Sequence, residues 1–324
     1  MTQPCIVCGA FTRRRTRSGQ GWHIDQCQDC GLGYTDPPPG PGSGDMLYNG
    51  AYYAEHYGAT CQSEEHTVPG PVARDRFLPI LDGLRMLGAK GRLLDVGCAT
   101  GDFLSLARQS GWDIAGTECS PYAVAAAEER LQCPVYQDDL AVVAQKVSPF
   151  DAVTLHHVIE HVDNPREFVG HVFQLLKPGG YLYIECPNFD SLEAAVFREH
   201  WEDIRPEQHV HHFTPMSLTR LIKETGLQPV CLRTLITASW HLRDAMEYMM
   251  LPVTYFKERR HAISSENTSQ RVGGAPPPAV ARLGTVKKLL RYPSWLLFRP
   301  LTWCEERLLR GKRLAAYARK PFSN

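Results

Sequence analysis

Between Gly91 and Leu235, short apolar runs alternate with segments of helical period, a pattern that admits few folds besides a parallel sheet covered by helices on both faces. Runs at 92–97, 113–118, 134–138, 150–156, 180–185 and 228–235 have strand length and strand composition. Helical patterns fill 102–110, 121–131, 164–177 and 215–225, and the last two stop at Pro178-Gly179-Gly180 and at Gly226. A further strand-like run, KRLAAYARKP at 312–321, is expected to return and pair with 228–235. Residues 236–311 then form an insertion in a terminal hairpin. It reads as helical near 240–260, followed at about 261–281 by HAISSENTSQRVGGAPPPAVA, whose composition cannot support a packed core and predicts a disordered loop.

The start of the chain is built differently. Cys5-x-x-Cys8-Gly9 and Cys27-x-x-Cys30-Gly31 are separated by 18 residues, the spacing of a four-thiolate zinc site of the ribbon type. Each following glycine permits a tight knuckle around the metal. Four thiolates leave no open coordination position, so the zinc would be structural. Residues 1–35 are read as this module. From 36 to 90 follows a linker, opening on DPPPGPGSG, and then a Tyr-rich segment whose Tyr52, Tyr53 and Tyr57 would close over a ligand as a lid or pack on the sheet. The other seven of the eleven cysteines show no ligand spacing and are read as small buried residues.

The segment RLLDVGCATGDFL, residues 92–104, runs a hydrophobic strand straight into a glycine turn and a helix. Backbone N–H groups and a helix N-terminus then face a ligand. Gly97 and Gly101 lack the G-x-G-x-x-G spacing of dinucleotide binders, and Asp95 stands just before the turn, where it suits the ammonium of an amino-acid ligand rather than a pyrophosphate. The next strand ends in Glu118, placed for ribose hydroxyls, and the third in Asp138-Asp139-Leu140, placed for an adenine amino group. Three acids at successive strand ends make one constellation on the carboxyl edge of the sheet.

These residues resemble the class I S-adenosylmethionine (SAM)-dependent methyltransferases. DVGCATG matches their first motif, with Ala99 where many members have glycine, and Thr117-Glu118 the ribose-binding acid. Asp139-Leu140 matches the adenine side, and FDAVTLHHVIEHV followed by LLKPGGYLYIECPN continues the pattern. The likeness covers about 91–235, with a last strand at 312–321. It implies an α/β, Rossmann-like, seven-stranded, mostly parallel sheet with helices on both faces, a SAM-binding core over 91–235, and a tail at 312–324 that begins with the last strand. It also implies SAM as cofactor, held by Asp95, Gly97, Cys98, Gly101, Glu118, Asp139, Leu140 and His156.

Methyl transfer from a sulfonium is an in-line displacement, so the protein aligns acceptor and methyl, excludes water and, where needed, removes a proton. Two histidine clusters offer a base: His156, His157 and His161 at the end of the fourth strand, and His209, His211 and His212 before the 215–225 helix. In deoxysugar C-methyltransferases that also carry a zinc module, the family pattern aligns with His161 and with Gln208-His209, although Gln208 replaces a glutamate. His209 is the first choice for general base and His161 the second, while His211 and His212 would pack or cap. Ubiquinone-type O-methyltransferases show a Glu-His pair like Glu160-His161. That pair, with His157, could hold a divalent metal or form a cap or ion pair.

The 35 Lys and Arg balance 35 Asp and Glu, so the chain as a whole has no pull on polyanions. The positive charge gathers from Arg282 onward, with 11 Lys or Arg against Glu305 and Glu306. There it interleaves with Trp295, Leu296, Leu297, Phe298 and Trp303, a composition suited to a lipid interface or to packing within the protein. No secretory signal and no spanning stretch is evident, so a cytoplasmic location is expected, peripheral to the inner face of the membrane if the basic run meets lipid. The sequence therefore predicts a methyltransferase acting by O- or C-methylation on a small-molecule, sugar, glycan or lipid-linked acceptor. A second reading is an RNA methyltransferase using the zinc module for contact. Against it, the fourth strand ends in LHHVIEH rather than an Asn-Pro-Pro-Tyr type of turn, and nucleic acid is not the expected partner. Oligomeric state is not legible.

Overall fold

The computed structural model describes residues 4–19, 21–39, 69–235 and 308–322. The chain divides into one compact unit, 1–235 with 309–324, and a second, 236–308. The second unit lies outside the described residues except for Leu308, as do the insertion's helix and 261–281 loop, the aromatic basic run and the Tyr52, Tyr53 and Tyr57 lid segment.

In the first unit, strands β1 (Arg13–Gly19), β2 (Trp22–Cys27) and β3 (Gly33–Asp36) form the antiparallel start of a small sheet. The large sheet is built from β4 (Arg92–Val96), β5 (Asp113–Thr117), β6 (Val135–Tyr136), β7 (Phe150–His156) and β8 (Leu176–Pro187), all mutually parallel. A two-residue strand, β9 (His211–His212), joins the small sheet. Strands β10 (Gln228–Leu235) and β11 (Arg313–Arg319) complete the large one, in the order β10-β11-β8-β7-β4-β5-β6. β11 runs antiparallel to both β8 and β10, the pairing expected of the 312–321 run.

Alternate strand residues feed two cores, as a sheet covered on both faces requires. Leu94, Val96, Val153, Leu155, Leu182 and Ile184 pack with Val169, Val172 and Leu221 on one side. Leu93, Ala152, Tyr183 and Tyr317 pack with Ile80, Leu84 and Leu104 on the other. Ile80 and Leu84 come from helix α1 (Pro71–Met86), inside the 36–90 range read as linker and lid. Its buried Ile80, Leu81 and Leu84 have the i, i+1, i+4 spacing of a packed face, and the internal Pro79 obscured that signal. Helices α2 (Asp102–Gln109), α3 (Pro121–Leu131), α4 (Leu140–Lys146), α5 (Pro165–Leu175), α6 (Leu192–Phe197) and α7 (Pro215–Glu224) follow, of which α4 and α6 were not anticipated.

The small sheet is continuous with the core unit. β9 pairs with β3, placing Gly33 opposite His212 and Tyr34 opposite His211. Cys5, Val7, Cys30 and Leu32 share one hydrophobic cluster with Phe213 and Leu218. The 1–35 segment therefore does not stand alone. Its last strand is completed by a loop of the larger domain.

Candidate active site

The turn after β4 is held open by backbone conformations that side chains disfavour. Gly97, Ala99 and Gly101 have φ of 73°, 50° and 86°. A Cβ at Gly97 would stand 2.7 Å from Val158 Cγ2, and one at Gly101 2.5 Å from Leu131 Cδ1. Ala99 occupies the left-handed region with its methyl group in place, a local strain that non-glycine residues accept rarely. The Gly97 and Cys98 N–H groups both donate to Thr117 O, at 2.8 and 3.0 Å, tying the turn to β5. Cys98 is buried, its sulfur filling the space a Cβ at Gly116 would take. Gly97→Ala is expected to cost about 1–3 kcal/mol, because strain and collision act together, and to lower the urea midpoint of unfolding accordingly.

Two acids flank this turn. Glu118, buried just past the end of β5, accepts from the Ala99 N–H at 2.9 Å on Oε2 and from the Ser120 N–H at 3.0 Å and the Cys119 thiol at 3.4 Å on Oε1. Asp95 is buried on β4 and accepts from Thr154 Oγ1 at 2.7 Å. Burial raises the Asp95 carboxyl to about 7; Glu118 pushes the same way and the Thr154 bond opposes it. A buried carboxylate so reluctant to ionise is matched by a bound cation. Asp139 is exposed at the far side of the sheet, where it caps α4 by accepting from the Ala141 N–H at 3.0 Å, and Leu140 behind it is buried. Asp138 pairs with Lys146 at 2.7 Å.

The first histidine cluster divides into three roles. His156, at the end of β7, is enclosed by Phe77, Phe103 and Tyr183. Its Nε2 lies 3.9 Å from Asp95 Oδ1, and neither ring nitrogen has a hydrogen-bond partner. Burial pushes it down to about 3, so the imidazole is neutral. His157 has a left-handed backbone, φ 55°, which turns its ring between two buried acids. Nδ1 meets Glu160 at 3.1 Å and Nε2 meets Glu185 at 3.3 Å. Burial alone would lower it, but those two hydrogen bonds carry it up to about 9. His157 is therefore a cation and no base at neutral pH.

His161 follows on a short 3₁₀ turn, partly exposed, with Nδ1 3.1 Å from Gln208 O. Donation to that carbonyl fixes Nε2 as the acceptor nitrogen. Its ring meets His209 edge to face at 4.8 Å. His209 is buried, with Nδ1 2.8 Å from Asp203 O, and burial holds it well below the usual imidazole range. The Glu160, His161 and His209 donor atoms lie within 4.8 Å of one another, so His209 takes the third place in which the sequence reading put His157. His211 and His212 pack and support: His211 Nδ1 meets Val162 O at 3.0 Å, and His212 Nε2 meets Thr35 Oγ1 at 3.0 Å. Thr35 Oγ1 also donates to His209 O at 2.6 Å, so the N-terminal module braces the His209 loop directly.

In that module Cys5 and Cys30 have Sγ atoms 3.5 Å apart, as have Cys8 and Cys27, and all four sulfurs lie within 4.8 Å of one another. None is in a disulfide. A zinc tetrahedron with bonds near 2.3 Å has sulfur edges of about 3.8 Å, so the donor set and its spread fit that ion. Of the other cysteines, Cys98 and Cys186 are buried as expected, whereas Cys119 and Cys231 are exposed. Cys119 lies just past the end of β5, and Cys231 on β10, the edge strand of the large sheet.

The structure thus brings Asp95, Gly97, Cys98, Gly101, Glu118 and His156 to one stretch of the carboxyl edge, with Asp139 and Leu140 farther along it and His161 beside His209. Four residues at this edge escaped the sequence reading: Arg76, Tyr183, Glu185 and Arg313. Glu185, fully buried on β8, receives Arg313 at 2.5 Å, Arg76 and His157 each at 3.3 Å, and the Tyr183 hydroxyl at 2.9 Å. Burial would raise it, yet the His157 hydrogen bond and the two guanidinium groups hold it well below the usual carboxylate range. One signal was available: a glutamate within the apolar run YLYIECP demands buried partners.

Residues 72–232 match the model of a family described as a methyltransferase domain. A ubiquinone biosynthesis O-methyltransferase of Burkholderia pseudomallei (strain 1710b) is 26% identical over 151 residues, 43% of this chain and 65% of the relative. Its Xanthomonas axonopodis pv. citri (strain 306) counterpart is 29% identical over 174 residues, 49% of this chain and 72% of the relative. The chain thus spans slightly less than two thirds of the Burkholderia protein. Among solved structures, a SAM-dependent methyltransferase from Archaeoglobus fulgidus superposes with a TM-score of 0.45 at 18% identity, covering 77% of this chain and 98% of that one.

Proposed function

We propose that the protein, whose residues 72–232 match a methyltransferase-domain family, is a class I SAM-dependent methyltransferase that transfers the methyl group of SAM to oxygen or carbon of a small-molecule, sugar, glycan or lipid-linked acceptor. The observation that carries this reading is the pairing of buried Asp95 and Glu118 on adjacent strands around a turn kept open at Gly97 and Gly101. Asp95 would bind the ammonium of the donor's amino-acid part. Glu118, oriented by the Ala99 and Ser120 N–H groups, would take the ribose hydroxyls, and the exposed Asp139 the adenine amino group. When bound, SAM supplies an electrophilic methyl group.

On the acceptor side His161 takes the proton, because its ring is partly exposed and its acceptor nitrogen is set by Gln208 O. His209, behind it and deeply buried, orients the His161 ring. That burial reverses their order in the sequence reading. His161→Ala is expected to lower turnover by about 10²–10⁴-fold with S-adenosylhomocysteine affinity unchanged. Equal turnover in the variant would remove His161 from this role. Cys5, Cys8, Cys27 and Cys30 would hold a structural zinc, whose work is to fix the module that braces the His209 loop.

The raised Asp95 carboxyl makes donor binding pH-dependent. Ammonium binding needs Asp95 ionised, so donor affinity should be flat above about pH 7 and fall toward tenfold per unit below it. A calorimetric pH series of S-adenosylhomocysteine binding checks this, and a flat profile from pH 5.5 to 8 would contradict it. The acceptor class is tested by incubating the protein with labelled SAM and separate pools of nucleotide sugars, lipid extract and RNA. Label in the sugar or lipid pool supports the proposal. Label confined to RNA supports the second reading, which the names of the relatives do not favour.

A further inference from the structure

On β4, β7, β8 and β11, Asp95, His156, Glu185 and Arg313 step progressively toward the carboxyl edge, Asp95 in register with Thr154, His156 with Glu185 and Arg313 with Pro187. The acids assigned to the nucleoside extend from Asp95 the other way, across β5 and past β6. Whatever receives the methyl group therefore lies toward β7 and β8. There the side chains are cationic. Arg76 from α1 and Arg313 from β11 both reach Glu185, together with His157 and the Tyr183 hydroxyl.

One carboxylate needs one cation, and Glu185 has three. Its Oε1 receives Arg76, Arg313 and His157, and its Oε2 the Tyr183 hydroxyl. With Glu160 counted against His157 and Asp95, on which Arg76 also acts, assigned to the donor's ammonium, the donor-bound cluster keeps one positive charge in excess. Lys312, next to Arg313, shows the opposite balance, with Glu193 at 3.5 Å and Glu202 at 3.2 Å around it. Each guanidinium has five N–H donors. Arg76 and Arg313 each direct one nitrogen, Nη2 and Nη1 respectively, to Glu185, and neither has another hydrogen-bond acceptor among the described residues. Their side chains are 38% and 23% exposed, so the remaining donors face the open side of the edge. Glu185 acts as the anchor that fixes both forks, and planar forks of this kind bind oxyanions in pairs of hydrogen bonds.

We propose that Arg76 and Arg313, anchored on Glu185, bind an oxyanion of the methyl acceptor, which accordingly carries a phosphate or carboxylate group. The proposal rests on the methyltransferase reading for the word acceptor, but the anion site itself can be tested without it. Pyrophosphate and malonate are titrated calorimetrically into the full-length, zinc-loaded protein at fixed ionic strength, with and without S-adenosylhomocysteine. Saturable binding of either anion is expected, weakened at least tenfold in Arg76→Gln. That variant keeps the Arg313–Glu185 pair and so keeps Glu185 matched. Arg313→Lys, which retains charge but loses the fork, should weaken binding as well. Stronger binding of pyrophosphate identifies a phosphorylated acceptor, and of malonate a carboxylated one. Absence of binding by both anions, or Arg76→Gln and Arg313→Lys proteins that bind like wild type, overturns the proposal. Failure of S-adenosylhomocysteine alone to bind would overturn the methyltransferase reading and leave the anion result to be judged separately.

Discussion

Asp95→Asn is expected to weaken SAM binding by at least about 100-fold, equivalent to roughly 2.7 kcal/mol or more. The substitution preserves the Thr154 hydrogen bond but removes the carboxylate proposed to meet the donor's ammonium. Breaking a buried ion pair by deleting one partner costs about 3–5 kcal/mol, because the other charge is left without compensation. Stability should move in the opposite direction. A carboxyl raised by burial contributes stability that is fully present below its unfolded value and lost as pH rises through about 7. At pH 8 the free wild-type protein therefore carries a strained carboxylate that Asn does not. Equilibrium dialysis with labelled SAM should show the affinity loss, and thermal unfolding without ligand at pH 8 should give a midpoint no lower than wild type. A variant that melts early would signal misfolding instead, and one that binds SAM normally would displace Asp95 from the donor site.

The second large effect is expected on removal of zinc. The module has little core of its own, and zinc binding to four-thiolate sites is worth about 10–16 kcal/mol near neutral pH, energy that serves folding. Its last strand pairs with β9, and its Thr35 hydroxyl holds the His209 carbonyl, so disorder in the module reaches the acceptor side of the edge. Thr214 Oγ1 also donates to Cys30 O at 3.3 Å, linking the metal knuckle to the N-cap of α7. Chelation, or Cys27→Ser, should therefore lower the melting temperature by at least about 10 °C, taking about 2–4 °C per kcal/mol for a unit of this size. Amide exchange should quicken first at β3 and β9, while β4 and β5 stay protected. Metal analysis finding no zinc in folded protein, or unchanged exchange after chelation, would count against the assignment.

Much of the fold was legible because it rests on local signals. Strand-length apolar runs, the Gly97 and Gly101 turn and the acids at successive strand ends are each encoded within a few residues. The return of β11 to β10 also followed from its pattern, although 76 residues lie between Leu235 and Lys312. What escaped notice depends on contacts between distant segments. Thr35 and His209 are 174 residues apart, and nothing in TDPPP or EQHVH announces their hydrogen bond. Arg76, Glu185 and Arg313 come from a helix and two strands that only the folded sheet edge brings together. The proposed exchange of roles between His161 and His209 has the same origin: burial is a property of the packed loop, and the two residues look alike in sequence.

The histidines illustrate the limit most clearly. The three histidines of LHHVIEH end in different states because only His156 belongs to the strand, while His157 lies just past it and His161 on the following 3₁₀ turn. His156 enters an aromatic enclosure and is neutral, His157 turns through a left-handed backbone to lie between two carboxylates and is charged, and His161 stands at the rim. Residue type offered a base; environment decides which one is available.

The most direct test of the account is an isothermal titration of S-adenosylhomocysteine into the zinc-loaded, full-length protein at pH 8. One equivalent per chain should bind in wild type, with saturable heat lost in Asp95→Asn and retained in His161→Ala. Folded wild-type protein that gives no heat with this ligand, or with SAM itself, would contradict the claim that the carboxyl edge around Asp95 and Glu118 is a methyl-donor site.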